Sequence, residues 1–111
     1  MDYDLIIIGS GPGGYVSAIR AGQVGLKTAL IDKSAVGGMC LNWGCIPTKA
    51  WLESAGRLEL VKSAAVFGVT GIDEEKLGFD WPAALKRSVG IVKRLTKGIE
   101  FLLKKNSVEV I

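Results

Sequence analysis

The sequence predicts an α/β fold, the first half of a doubly wound parallel sheet, and three observations carry that prediction. An apolar run without alternation, Asp4-Leu5-Ile6-Ile7-Ile8, leads directly into a glycine-rich turn, Gly9-Ser10-Gly11-Pro12-Gly13-Gly14. A helical stretch then a second β-prone run, Lys27-Thr28-Ala29-Leu30-Ile31, follow, and the run ends on Asp32. A long helical pattern later leads to Val108-Glu109-Val110-Ile111, a third strand. Right-handed crossovers between parallel strands then set the sheet order 3-2-1.

The first strand has no polar alternation, which is the pattern of a strand covered on both faces. The helix after it runs from about Pro12 to Val24. Val16, Ala18, Ile19 and Ala21 suit packing against a sheet, and Gly25 supplies the C-cap. The glycines have separate tasks. Gly9 allows the tight turn, Gly11 lets a pyrophosphate approach the backbone, and Gly14 lets helix and strand pack closely, so that phosphates meet free N–H groups at a helix N-terminus. Asp32 stands roughly twenty residues after the last glycine, the spacing at which an acid accepts from a ribose hydroxyl. The glycine spacing alone would be weak. Set between a strand and a helix with the acid in place, it is a strong sign of a Rossmann-like dinucleotide cradle, although NAD and FAD share the adenosine diphosphate it reads.

The stretch Gly37-Gly38-Met39-Cys40-Leu41-Asn42-Trp43-Gly44-Cys45-Ile46-Pro47-Thr48-Lys49 holds both cysteines of the chain. A straight helix would separate Cys40 from Cys45 by about 7.5 Å along its axis, whereas a disulfide needs Cα atoms within roughly 7 Å. Pro47 cannot donate to the carbonyl of Trp43, and Gly44 permits a bend. The sequence therefore predicts a kinked approach followed by a helix starting near Cys45 or Pro47. A thiol in the first turn of that helix is favoured as thiolate, which makes Cys45 the charged sulfur and Cys40 the more mobile one. Two buried small hydrophobes would be the bland alternative. Zinc is a poor one, because the chain has no histidine and no further cysteine to complete a ligand set.

From Ala50 to Ala65 the helix continues with Trp51, Leu52, Ala55, Leu58 and Val61 as an apolar stripe, ending near Gly68. Trp43 and Trp51 could adjoin a flavin, but packing is the simpler role. Thr70 to Gly78 reads as an exposed connection, with Asp73, Glu74 and Glu75 as solvated acids. Asp80 is a good N-cap for a helix that opens on Trp81-Pro82 and runs to about Lys105. Its apolar positions are Leu85, Val89, Val92, Leu95, Ile99, Leu102 and Leu103, and Asn106 caps its end.

At 111 residues the chain fits one compact domain at most, and 49% hydrophobic content makes it globular material. The net charge of +3 is mild. The basic residues between Lys86 and Lys105 lie at helical spacing without stacking aromatics, so they read as a solvated face and not as a nucleic-acid surface. No membrane span or leader is expected, which points to a cytoplasmic setting where paired cysteines are more often catalytic than structural.

The residues Gly9 to Tyr15 and Gly37 to Lys49, with a weaker likeness from Gly98 to Asn106, resemble the amino-terminal part of the dihydrolipoyl dehydrogenases, which are flavin-dependent pyridine nucleotide disulfide oxidoreductases. Glutathione and mercuric reductases share the cysteine frame, while Leu41, Ile46 and Thr48 lean towards the lipoyl enzymes. The resemblance implies bound FAD, with Gly9, Gly11 and Gly14 on its pyrophosphate and Asp32 on its adenosine ribose. Gly38, Met39 and Lys49 would follow the phosphate, ribityl and flavin portion, and Ser10, Pro12, Gly13, Lys33, Gly37 and Cys40 would complete its surroundings. Electrons would pass from dihydrolipoyl groups through Cys40 and Cys45 to FAD and then NAD, in a homodimer serving a 2-oxo acid dehydrogenase complex.

Against the family pattern, Met39 stands where threonine is usual, Asp32 where glutamate is usual and Trp43 where valine is common. The family's His–Glu acid–base pair has no counterpart, since the chain contains no histidine. The resemblance thus implies that residues 1–111 are the amino-terminal part of an FAD-binding domain, with the remaining FAD, NAD and dimerisation units absent and no turnover by this segment alone. A stand-alone nucleotide-binding thiol relay is the reading from a different class.

Overall fold

A computed structural model describes residues 2–111. Three parallel strands, β1 (Leu5–Ile8), β2 (Thr28–Ile31) and β3 (Glu109–Val110), form one sheet in the order β1-β2-β3. This is the expected 3-2-1 arrangement seen from the other edge. Leu5 pairs with Thr28 and Ile8 with Ile31, while Ala29 pairs with Glu109. Helix α1 (Pro12–Gln23) makes the first crossover, with Pro in its first turn where no N–H is missed. It ends on Val24, and Gly25 follows with φ 86°, so the glycine sits one residue beyond the cap.

The second crossover is longer and carries most of the helix. A five-residue helix α2 (Gly38–Asn42) is followed by α3 (Cys45–Lys62) and α4 (Trp81–Lys105). Between the last two lie single 3-10 turns at Ala64–Phe67 and Glu74–Lys76, in an exposed connection. Asp80 caps α4 as expected: its Oδ1 accepts from the N–H of Ala83 at 2.9 Å. At the other end the Asn106 amide donates to the carbonyl of Leu102 at 2.8 Å.

The core lies between the sheet and one layer of helix. Ala18, Leu30, Val36, Leu103 and Val108 are buried together, with Ile7, Tyr15, Ile19 and Ile99 packed around them. Helices α1 and α4 both contact this cluster from the same side. The other face is open among the described residues, and there the continuous apolar pattern of β1 misled: Ile6 is 54% and Ile8 85% exposed. Alternation therefore exists in burial though not in residue type, because only Leu5 and Ile7 point at the helices.

Helices α3 and α4 pack as an antiparallel hairpin that stands away from the sheet. It makes the chain 65 Å long and raises the radius of gyration to 20.0 Å, against about 13 Å for a compact chain of this size. The hairpin is held by small residues and by polar ties. Ala50, Ala84 and Ser88 are buried, and Arg87 donates to the carbonyl of Ala50 at 2.9 Å. Trp51 and Trp81 meet at 5.5 Å between ring centroids. The apolar periodicity of α4 is thus only partly a core stripe. Ile99 and Leu103 face the core, whereas Leu85, Val89, Leu95 and Leu102 remain exposed, because contact with α3 runs through alanine and serine. No helix among the described residues is long and apolar enough to cross a membrane.

Candidate functional site

Three loops converge at the carboxyl ends of β1 and β2. The first is the glycine turn between β1 and α1. Gly9 takes φ 100°, and its N–H donates to Ile31 O at 2.7 Å, which seats the turn on the neighbouring strand. Gly11 is the N-cap of α1, with no side-chain cap. The N–H groups of Gly13 and Gly14 therefore open the helix without an internal partner, and its positive end favours an anion there. The glycines divide as the sequence suggests. A side chain at Gly14 would overlap the Gly9 carbonyl, so contact within the chain itself demands the missing Cβ, while a Cβ at Gly9, Gly11 or Gly13 would meet nothing within 4 Å. The turn is an open cradle whose residues fit a pyrophosphate.

The second loop follows β2. Asp32 stands at its end, and its carboxylate is bound from both sides. Oδ2 accepts from the N–H and the hydroxyl of Ser10, each at 2.6 Å, and Oδ1 accepts from the N–H and hydroxyl of Ser34 at 3.0 and 3.1 Å. The Ser10 hydroxyl above all, with the N–H groups of Ser10 and Ser34, holds the acid far below the ordinary carboxylate range. A carboxylate has about four acceptor positions, and here serine donors match them. A ribose hydroxyl would have to replace one of those donors. Ser10 is fully buried with its hydroxyl satisfied in this way. Neither serine's contact is expected from the sequence, although Asp-x-Ser is a spacing that allows Ser34 to fold back.

The third loop brings the sulfurs in. Gly37 and Gly38 adopt φ 105° and 61°, and the Gly37 N–H donates to Ser10 O at 3.0 Å. A Cβ on Gly38 would lie 2.7 Å from the Gly11 Cα, so the start of α2 rests on the glycine turn. Cys40 is then one half-turn further along α2, and Cys45 is the first residue of α3, with Trp43 and Gly44 as the break between them. The break brings the two Cα atoms to 4.6 Å, and the sulfurs are joined in a disulfide. The expected kink and helix start at Cys45 are both present. Not expected was a discrete helix before the kink, nor the clamp on it: the Asn42 amide donates to Gly38 O at 2.9 Å and Val36 O at 3.1 Å.

The remaining sequence candidates flank these loops. Lys33 and Lys49 are exposed, Met39 is 75% exposed in α2, and Cys45 is more exposed than Cys40. Trp43 is 64% exposed and lines an apolar groove of about 470 Å³ with Asn42, Pro47, Trp51, Val89 and Val92. The arrangement can hold a dinucleotide diphosphate at α1 and carry out thiol–disulfide exchange at α2 and α3. No group of three or more acidic, cysteine or histidine side chains suited to a metal ion occurs among the described residues.

Comparison with known proteins agrees with this chemistry. Residues 3–111 match the family model described as pyridine nucleotide-disulphide oxidoreductase. The chain is 54% identical over 109 residues to a dihydrolipoyl dehydrogenase of Acholeplasma laidlawii, covering 98% of this chain and 32% of that protein. It is 51% identical over 109 residues to that of Rhizobium etli, covering 98% of this chain and 22% of the relative. For the Bacillus subtilis protein of the same name the figures are 44% over 107 residues, 96% and 23%. The chain thus spans about a third or less of the length of these relatives. With the match extending over almost all its residues, the chain belongs to the pyridine nucleotide-disulphide oxidoreductase family.

Proposed function

We propose that this chain is the cofactor-cradling and disulfide-bearing segment of a dihydrolipoyl dehydrogenase. The observation that carries the proposal is the Cys40–Cys45 disulfide across a helix break, on a helix whose first residue rests on the glycine turn. FAD is the group we assign to the cradle. Gly9, Ser10, Gly11, Pro12, Gly13 and Gly14 would hold its pyrophosphate, and Asp32 and Lys33 its adenosine ribose. Gly37, Gly38, Met39, Cys40 and Lys49 would border the rest. When bound, it supplies the two-electron acceptor that hands on to NAD.

The sulfur chemistry follows from the geometry of the pair. A thiolate of a dihydrolipoyl group attacks Cys40 Sγ, the Cys40–Cys45 bond breaks, and Cys45 leaves as a thiolate at the N-terminus of α3. The second dihydrolipoyl thiol, losing its proton, displaces Cys40 and closes the lipoyl disulfide. Two electrons have then moved onto the cysteines, and the thiol protons have passed to Cys40 and to solvent or a base. The apolar groove beside Trp43 suits the hydrocarbon arm of such a substrate.

Further FAD-binding, NAD-binding and dimerisation units complete the enzyme in this reading. The length of the relatives supports it, as does β1, an edge strand with Ile6 and Ile8 exposed. The parent is then a cytoplasmic homodimer serving a 2-oxo acid dehydrogenase complex, and this segment alone does not turn over. Steady-state assay of the natural-length protein tests the proposal. NAD reduction by dihydrolipoamide is expected. Negligible NAD reduction, with turnover of glutathione disulfide or mercuric ion instead, assigns the segment to a related reductase, and a native protein no longer than this chain overturns the enzyme reading altogether.

A further inference from the structure

The cysteine helix is fastened by one side chain besides the cysteines and the glycines. Helix α2 has five residues, too few to persist by its own hydrogen bonds. It is fixed by the seat of Gly38 on Gly11, burial of Leu41, the disulfide, and the side chain of Asn42. The Asn42 amide turns back along α2 and meets Gly38 O at 2.9 Å, Val36 O at 3.1 Å and, more distantly, Ala35 O at 3.4 Å. Three carbonyls surround one group, so it must be the amino end, since an amide oxygen there would face only acceptors. The carbonyls belong to the turn that is itself tied to Ser10 and Gly11.

We infer that Asn42 is a positioning residue for the cysteine pair, holding Cys40 on the nucleotide turn so that it stays within reach of Cys45 when the disulfide is open. The inference rests on the redox reading above and adds to it the group that sets the equilibrium. Once the sulfurs part, α2 is left to the seat of Gly38 on Gly11, the burial of Leu41 and the Asn42 amide, and of these only the amide ties the far end of the helix back to the turn. Losing the amide lets Cys40 wander and lowers the effective concentration of one thiol at the other, so the disulfide forms less readily.

The test uses the natural-length protein, equilibrated in glutathione redox buffers, with the dithiol fraction of Cys40 and Cys45 read by alkylation and peptide mass. Asn42→Ala is expected to lower the equilibrium constant for disulfide formation three- to tenfold, where tenfold corresponds to about 30 mV. Asn42→Asp, which sets a carboxylate against the carbonyls, should lower it further. Asn106→Ala is the control: it deletes a comparable amide bond to Leu102 O at 2.8 Å and should cost thermal stability without moving the constant. Should Asn42→Ala not fold, Asn42→Ser keeps one donor and is expected to shift the constant at least twofold. An unchanged constant in the folded Asn42 variant, or an equal shift in Asn106→Ala, overturns the inference alone. Wild-type cysteines that never exchange with glutathione remove the redox reading and the inference together.

Discussion

Ser10 donates twice to a single oxygen of Asp32, through its N–H and its hydroxyl, both at 2.6 Å. The bond pair joins the turn after β1 to the end of β2, so the cradle is braced by the acid that would also read a ribose.

The brace makes a prediction in pH. These hydrogen bonds favour the ionised carboxylate, so the folded pKa lies below the unfolded value of about 3.9. A depressed acid stabilises the fold fully above its unfolded pKa and loses that contribution as pH falls through the folded one. Asp32→Asn should therefore melt lower than wild type by a constant margin from pH 8 to about pH 5. Below about pH 4 the margin should shrink. Thermal melts across that range check it, and a margin unchanged in strong acid would show that charge is not the cause.

Gly38 gives the sharpest steric prediction. It combines φ 61° with a backbone contact, the Gly11 Cα standing 2.7 Å from where a Cβ would be. Backbone on both sides has no flexible end to yield. Gly38→Ala should cost about 1–3 kcal/mol through overpacking and should also displace the glycine turn, weakening FAD uptake. Urea denaturation and flavin fluorescence titration measure the two effects. Uptake retained alongside lost stability would separate the turn from the cradle.

Much of this was legible because local chemistry sets it. Asp80 before Trp81-Pro82 announces a helix start, and Asn106 its end. Gly44 and Pro47 announce the break that lets the cysteines meet, and the glycine spacing announces the first crossover. What could not be read depends on partners far along the chain. Ser10 reaches Asp32 across 22 residues, and nothing near either residue encodes that bond. Helix α2 exists through Leu41, Asn42 and the disulfide and not through propensity. The faces of β1 and α4 misled for one reason: an apolar pattern states that a surface is to be covered, but not by which element, and Ile8 and Leu85 are left outward here.

Helix α4 is the long arm of the fold, and its start depends on one side chain. Asp80 Oδ1 accepts from Ala83 N at 2.9 Å. Asp80→Ala should destabilise the chain by about 1 kcal/mol, seen as a lower denaturation midpoint with an unchanged slope. Asp80→Ser, which can also cap, should recover most of the loss. Equal losses in both variants would mean that the carboxylate acts through charge and not as a cap.

Cys45 carries the last prediction, because its place decides which sulfur is the better leaving group. It is the first residue of an 18-residue helix whose N-cap, Gly44, offers no side-chain acceptor. The opening N–H groups are therefore available to a sulfur, and the dipole favours its negative form. Cys40 also follows an uncapped glycine, Gly37, but in a helix of only five residues, whose aligned peptide dipoles are far fewer. In a Cys40→Ser variant, alkylation of Cys45 by iodoacetamide should reach half its limiting rate at a pH below the ordinary thiol value of about 8.5. In Cys45→Ser, the midpoint for Cys40 should stay near or above that value. The asymmetry survives without any cofactor, since it comes from the helix start alone. If the two midpoints coincide, α3 does not distinguish the sulfurs, and the order of attack and departure assigned to them is lost.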